Sequence, residues 1–146
     1  HSLLVEQIVT VLRPAADRKL LLLTLLHDAP EYVIGDMISP FKQVLGGDYK
    51  AVEARLQAAI HMRYGLPSDM PQTTKKLIKR ADMIAAFYEA THLAGFSVKE
   101  ATTFFGRPNG VSPDHLYLKP ISTAQAQAAF LGRFAQLENL SARVDV

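Results

Sequence analysis

His27-Asp28 stands directly after the run Leu20-Leu21-Leu22-Leu23-Thr24-Leu25-Leu26, and Pro30-Glu31 follow it closely. A helix that is apolar on every side is buried on every side. Charged groups at the end of such a helix are costly unless something pairs with them or coordinates them. Neutral imidazole beside a carboxylate offers a divalent cation nitrogen and hard oxygen together. The chain holds further donors of this kind. His1 lies on the side of Val5 and Ile8, at i+4 and i+7 of a helical stripe. Asp82 is an acid flanked by core-type residues in Ile78-Lys79-Arg80-Ala81-Asp82-Met83-Ile84. His1, His27, Asp28 and Asp82 therefore form a candidate metal set drawn from three segments, and ligands donated by several helices toward a bundle core are an established way to build a metal centre. The chain has no cysteine. Disulfides, thiolate nucleophiles and sulfur-ligated zinc are excluded, and a metal must be held by His, Asp, Glu or backbone oxygen.

The elements that position these groups read as helices. Leu4, Val5, Ile8, Val9 and Leu12 form a helical stripe over residues 3–12. Arg13-Pro14 ends it, because the residue before proline is pushed out of the α region. Asp17 caps the next helix, which carries the leucine run to His27-Asp28. Pro30 then removes a backbone donor, at a cost of about 3 kcal/mol in a helix interior, so the helix ends or kinks near Asp28. Gly35-Asp36, Ser39-Pro40 and Gly46-Gly47 read as turns. Asp48 caps a helix to about Tyr64, with Val52, Leu56, Ala59 and Ile60 inward. A long helix follows over about 73–93, with Leu77, Ile78, Ala81, Ile84, Ala85 and Tyr88 as its inner face and Gly95 as its stop. Ser97 to Glu100 is a capping-box pattern opening a short helix that Gly106 closes. Residues 107–121 are a loop, and Ser122 caps a last amphipathic helix to about Leu140. No segment sustains period-two alternation with turn signals. The expected fold class is all-α: one compact bundle of about five or six helices spanning residues 1–146 as a single domain, with no sheet.

His1 to Val5, then His27-Asp28-Ala29-Pro30-Glu31 with Gly35-Asp36, then Lys79-Arg80-Ala81-Asp82 resemble the ordered signatures of the HD-domain metal-dependent phosphohydrolases. Glutamate three residues after the aspartate, with Gly-Asp beyond it, is similar to the bacterial 5′-deoxynucleotidase-like branch. The signatures span residues 1–82; beyond about residue 95 the resemblance rests on helical character alone. In that family a basic residue for phosphate lies ahead of the first histidine, whereas here the sequence begins at His1. The resemblance implies a divalent cation held by His1, His27, Asp28 and Asp82. Two histidines and two aspartates would accept Mn, Co, Ni, Zn, Fe or Mg. It implies that Glu31 orients or deprotonates an attacking water, and that Asp36 serves as a second acid near the substrate. Lys42 and Lys79 are the cations best placed in sequence to meet a phosphate. The implied activity is hydrolysis of a phosphomonoester, a nucleoside 5′-monophosphate first of all, by a metal-activated water. The alternatives are a phosphodiesterase or (p)ppGpp hydrolase on the same site, or a non-catalytic helical module that senses a nucleotide or is stapled by its metal.

Composition narrows the partners. A net charge of +2 with acids and bases interleaved is too weak a bias for a nucleic acid polymer or an anionic membrane. The leucine run is far short of the roughly 20 residues of a membrane span. No basic flank and cleavage site mark a signal peptide, so the default location is cytoplasmic. The expected partner is a small phosphorylated substrate, and exposed apolar residues on the last helix would suit a homodimer. His61, His92 and His115 lack a partner pattern and read as structural or surface histidines. Phe87-Tyr88 and Phe104-Phe105 read as core, and Lys75-Lys76 with Lys79-Arg80 as a solvated helix face.

Overall fold

The computed structural model describes residues 1–35 and 47–142, the last four of these and Gly47 by backbone alone. Asp36 and Lys42 lie outside the described residues. Among the described residues there is no strand, and the chain forms seven α-helices and one 3-10 turn. They are α1 (Ser2–Leu12), α2 (Arg18–Leu25), α3 (Glu31–Ile34), α4 (Gly47–Arg63), α5 (Gln72–His92), α6 (Val98–Phe105) and α7 (Thr123–Ala142), with the 3-10 turn at Pro113–His115. The all-α expectation holds. No helix among the described residues is long and apolar enough to cross a membrane.

The leucine run does what its composition demands. Leu20, Leu22, Leu23, Thr24 and Leu25 are all buried, so α2 has no solvent face along its second half. The Thr24 hydroxyl is satisfied within the helix by the Leu20 carbonyl, at 2.8 Å. Asp17 caps α2 as expected, accepting from the Leu20 amide at 2.8 Å. One side of α2 faces a core of Leu4, Val5, Ile8 and Val9 from α1 with Ala81, Ile84, Ala85 and Tyr88 from α5. The other side joins Leu66, Ile78 and Leu137. Ala81 and Ala85 are wholly buried. Small side chains at a helix contact let the axes approach closely, and this seats the start of α1 against α5.

Five sequence expectations need correction. The second helix ends at Leu25 rather than running on to Asp28, and residues 27–30 form turns. The His27 amide turns to the Thr24 carbonyl, and Pro30 has no amide to return to the Leu26 carbonyl, so the ladder is not carried on. In α4, which starts at Gly47 and so includes Asp48 in its first turn rather than as its cap, Val52 and Ala59 are exposed, and the inward side is marked by fully buried His61. Phe104 is 63% exposed rather than core, because α6 is two turns long and fully buries only Ala101. The loop 107–121 is interrupted by the 3-10 turn, and Tyr88 Oη donates to the Val111 carbonyl to hold this segment on the core.

Candidate metal centre

His27 follows the end of α2 directly. Its backbone amide and its Nδ1 both point back to the Thr24 carbonyl, at 3.3 and 2.8 Å. Donation from Nδ1 leaves the lone pair of the neutral ring on Nε2. That nitrogen is buried and has no hydrogen-bond partner among the described residues. It lies 3.1 Å from Asp28 Oδ2. A lone pair facing a carboxylate oxygen at this distance is two acceptors in opposition, the arrangement that a cation between them resolves. Successive residues of a regular helix point about 100° apart. The early end of α2 therefore matters, since the turn lets both His27 and Asp28 face one point.

His1 stands at the N-cap position of α1. Its Nε2 is 3.1 Å from Asp82 Oδ1 and 3.9 Å from Asp28 Oδ2, and its ring lies 5.6 Å from the His27 ring. His1, His27 and Asp82 each offer one donor atom within 4.8 Å of the others. Metal–donor bonds of about 2.0–2.2 Å reach across at most about 4.4 Å between opposite donors, so the three atoms lie at about the scale of one coordination sphere. His1, His27 and Asp82 meet that spacing, and Asp28 Oδ2 lies beside them at 3.1 Å from His27 Nε2 and 3.9 Å from His1 Nε2; two imidazoles and two carboxylates suit a divalent cation chemically. The structure thus brings together all four residues of the sequence-derived set.

Electrostatics follow from this crowding. Burial works to lower His1, but hydrogen bonds and charge from Asp82 and Glu89 outweigh it and hold the imidazole up at about 10. Burial works to raise Asp82, and His1 and Lys79 pull it well below the ordinary carboxylate range. Lys79 Nζ is 2.7 Å from Asp82 Oδ2, one turn away on the same helix, with its side chain otherwise largely in solvent. Lys79 therefore reaches the centre by way of Asp82, while Lys75 pairs with Asp69 and Arg80 donates to the Asn109 carbonyl, so those two point elsewhere.

Glu31 opens α3, and its amide bonds the Asp28 carbonyl at 3.0 Å. Gly35, at φ +78°, closes α3 with its amide on the Glu31 carbonyl. Glu31 shares the wall of a pocket of about 290 Å³ with His1, Asp28, Leu25, Tyr32 and Phe130. One functional-looking residue escaped the sequence reading. Glu89 Oε2 accepts from His1 Nδ1 at 2.8 Å. The available signal was its place seven residues after Asp82, on the same face of one helix.

Comparison with known proteins identifies the family. Residues 3–100 match the family described as 5′-deoxynucleotidase YfbR-like. An uncharacterized protein of Rhodobacter capsulatus is 44% identical over 133 residues, which cover 91% of this chain and 68% of the relative. The uncharacterized protein YfdR of Escherichia coli K12 is 30% identical over 117 residues, 80% of this chain and 61% of the relative. The present chain thus spans about two thirds of the length of these relatives. The matched span runs through α2, the turn after it and α5, the same elements that deliver His27, Asp28 and Asp82 to one point. On sequence match and on helical architecture alike, the chain belongs to the YfbR-like 5′-deoxynucleotidase family of the HD-domain superfamily.

Proposed function

We propose that the protein, as one domain, is a divalent-metal-dependent phosphohydrolase that cleaves phosphomonoesters, with nucleoside 5′-monophosphates as the substrate class. The observation that carries this is the buried, partnerless Nε2 of His27 facing Asp28, with His1 and Asp82 against it. His1, His27, Asp28 and Asp82 would hold the ion, which when bound lowers the pKa of water and polarises a phosphoryl oxygen. Glu31, on the wall of the adjoining pocket, takes the proton of the attacking water. Lys79 Nζ, anchored on Asp82 and otherwise exposed, steers a phosphate oxygen toward the centre. Asp36 and Lys42 are assigned to the leaving hydroxyl and to phosphate from sequence alone. Family membership supports the reaction class, and Glu31 favours hydrolysis over a purely structural metal, which would need no acid beside it and no open position.

The test is phosphate release from a panel of nucleoside monophosphates, with metal content measured on the same protein. Activity should rise with Mn²⁺ or Co²⁺, vanish with chelator and vanish in Asp28→Asn. Protein that takes up no divalent metal and leaves every nucleotide intact would overturn the proposal.

A further inference from the structure

We propose that Glu89 is a positioning residue for His1, an inference that rests on the metal-dependent reading above. Its carboxylate holds the ring through Nδ1–H, so that Nε2 is the nitrogen turned toward a cation. The two ring nitrogens of His1 are divided between two carboxylates: Glu89 Oε2 at 2.8 Å from Nδ1, and Asp82 Oδ1 at 3.1 Å from Nε2. Both acids stand on α5, seven residues and so about two turns apart. An ionised carboxylate only accepts hydrogen bonds. Glu89 therefore fixes Nδ1 as the protonated position whatever Nε2 carries.

His27 is handled in parallel by a different group, since the Thr24 carbonyl takes its Nδ1 at 2.8 Å. Both rings consequently aim Nε2 at the same point. The two need different devices because their backbones differ. His27 sits within reach of the last carbonyls of its own helix. His1 makes no side-chain hydrogen bond to α1, and its two ring nitrogens meet acids of α5 instead. The holder comes from α5, whose backbone around Glu89 is anchored by buried Ala85, Tyr88 and Ala90. Hydrogen bonding of the remote nitrogen sets both the tautomer and the orientation of a metal-binding histidine, and loss of such a partner typically costs 10–100-fold in metal affinity.

The experiment titrates Co²⁺ into metal-free wild type, Glu89→Ala, Glu89→Asp and Glu89→Gln, reading the visible Co²⁺ absorption. The His1 Nδ1–H resonance is followed in the metal-free proteins. Glu89→Ala should bind Co²⁺ about 10–100-fold more weakly and lose that resonance to solvent exchange. Glu89→Asp keeps the charge but withdraws it by one methylene, and it should follow Ala. Glu89→Gln keeps an acceptor oxygen in place and should recover most of the affinity. If Glu89→Ala and Glu89→Asp bind Co²⁺ as tightly as wild type, the positioning role is overturned while the metal-dependent reading stands. If wild type itself takes up no Co²⁺, that reading fails first, and this inference with it.

Discussion

Thr24 carbonyl and Glu89 carboxylate perform the same task on two histidines, and each leaves one ring nitrogen for the centre. In the absence of metal, His1 has another fate. Its pKa stands at about 10 in the fold against 6.5 ordinarily, so its ion pairs stabilise the protein fully below about pH 6.5 and fade as pH rises toward 10. Asp82 has the opposite sign: held below its ordinary 3.8, it contributes above that pH and loses its contribution in stronger acid. Chelated protein should therefore be most resistant to thermal unfolding between these limits, and its melting temperature should fall from pH 6.5 to pH 10. A flat profile over that range would contradict the His1 pairing. Metal uptake runs the other way, since binding requires the deprotonated ring. Glu31→Ala should reduce turnover by about 10²–10⁴-fold while Co²⁺ affinity stays within a few-fold of wild type, which a direct titration checks. Residue type and order were enough to single out His1, His27, Asp28 and Asp82. Glu89 was not legible in the same way, because its partner lies 88 positions away and only the packing of α1 on α5 makes them neighbours.

Elements were easiest to read where a local device marks them. The Ser97–Glu100 capping box is present with both of its reciprocal hydrogen bonds, and Asp17 caps α2 as its type demands. Where the boundary depends on tertiary demands, sequence patterns overshot: the helical register after Leu25 gives way to turns that serve His27 and Asp28. The inward side of α4 was misjudged because its apolar residues are weakly segregated and a buried histidine, His61, occupies the face instead. An ion pair joins α1 and α7 beside the apolar contact of Leu3 with the Leu137 cluster. Glu6 is 5% exposed and receives the Arg133 guanidinium through Nε at 2.9 and 3.0 Å. Replacing Arg133 by methionine leaves that carboxylate buried without its partner. The expected loss is about 3 kcal/mol, at the low end for a buried pair because Arg133 keeps partial contact with water. Denaturant unfolding measures it, and Glu6→Leu with Arg133→Met together should recover much of the loss.

For the molecule as a whole, the proposed ion is also a clamp, because its ligands come from the start of α1, the end of α2 and the middle of α5. A ligand bound only by the folded state adds about 2.7 kcal/mol when present at 100 times its dissociation constant. Mn²⁺ or Co²⁺ should raise the melting temperature of wild type in a concentration-dependent way and leave that of Asp28→Asn unmoved. The pocket beside the centre has a divided origin. His1, Asp28 and Glu31 line it together with Phe130 from α7, which lies beyond residues 3–100 and outside the family match. The proposed chemistry and part of the surface against which a substrate would rest thus come from distant stretches of the sequence. Exchange of the last helix between relatives should redirect which molecule is accepted while leaving the manner of its cleavage untouched.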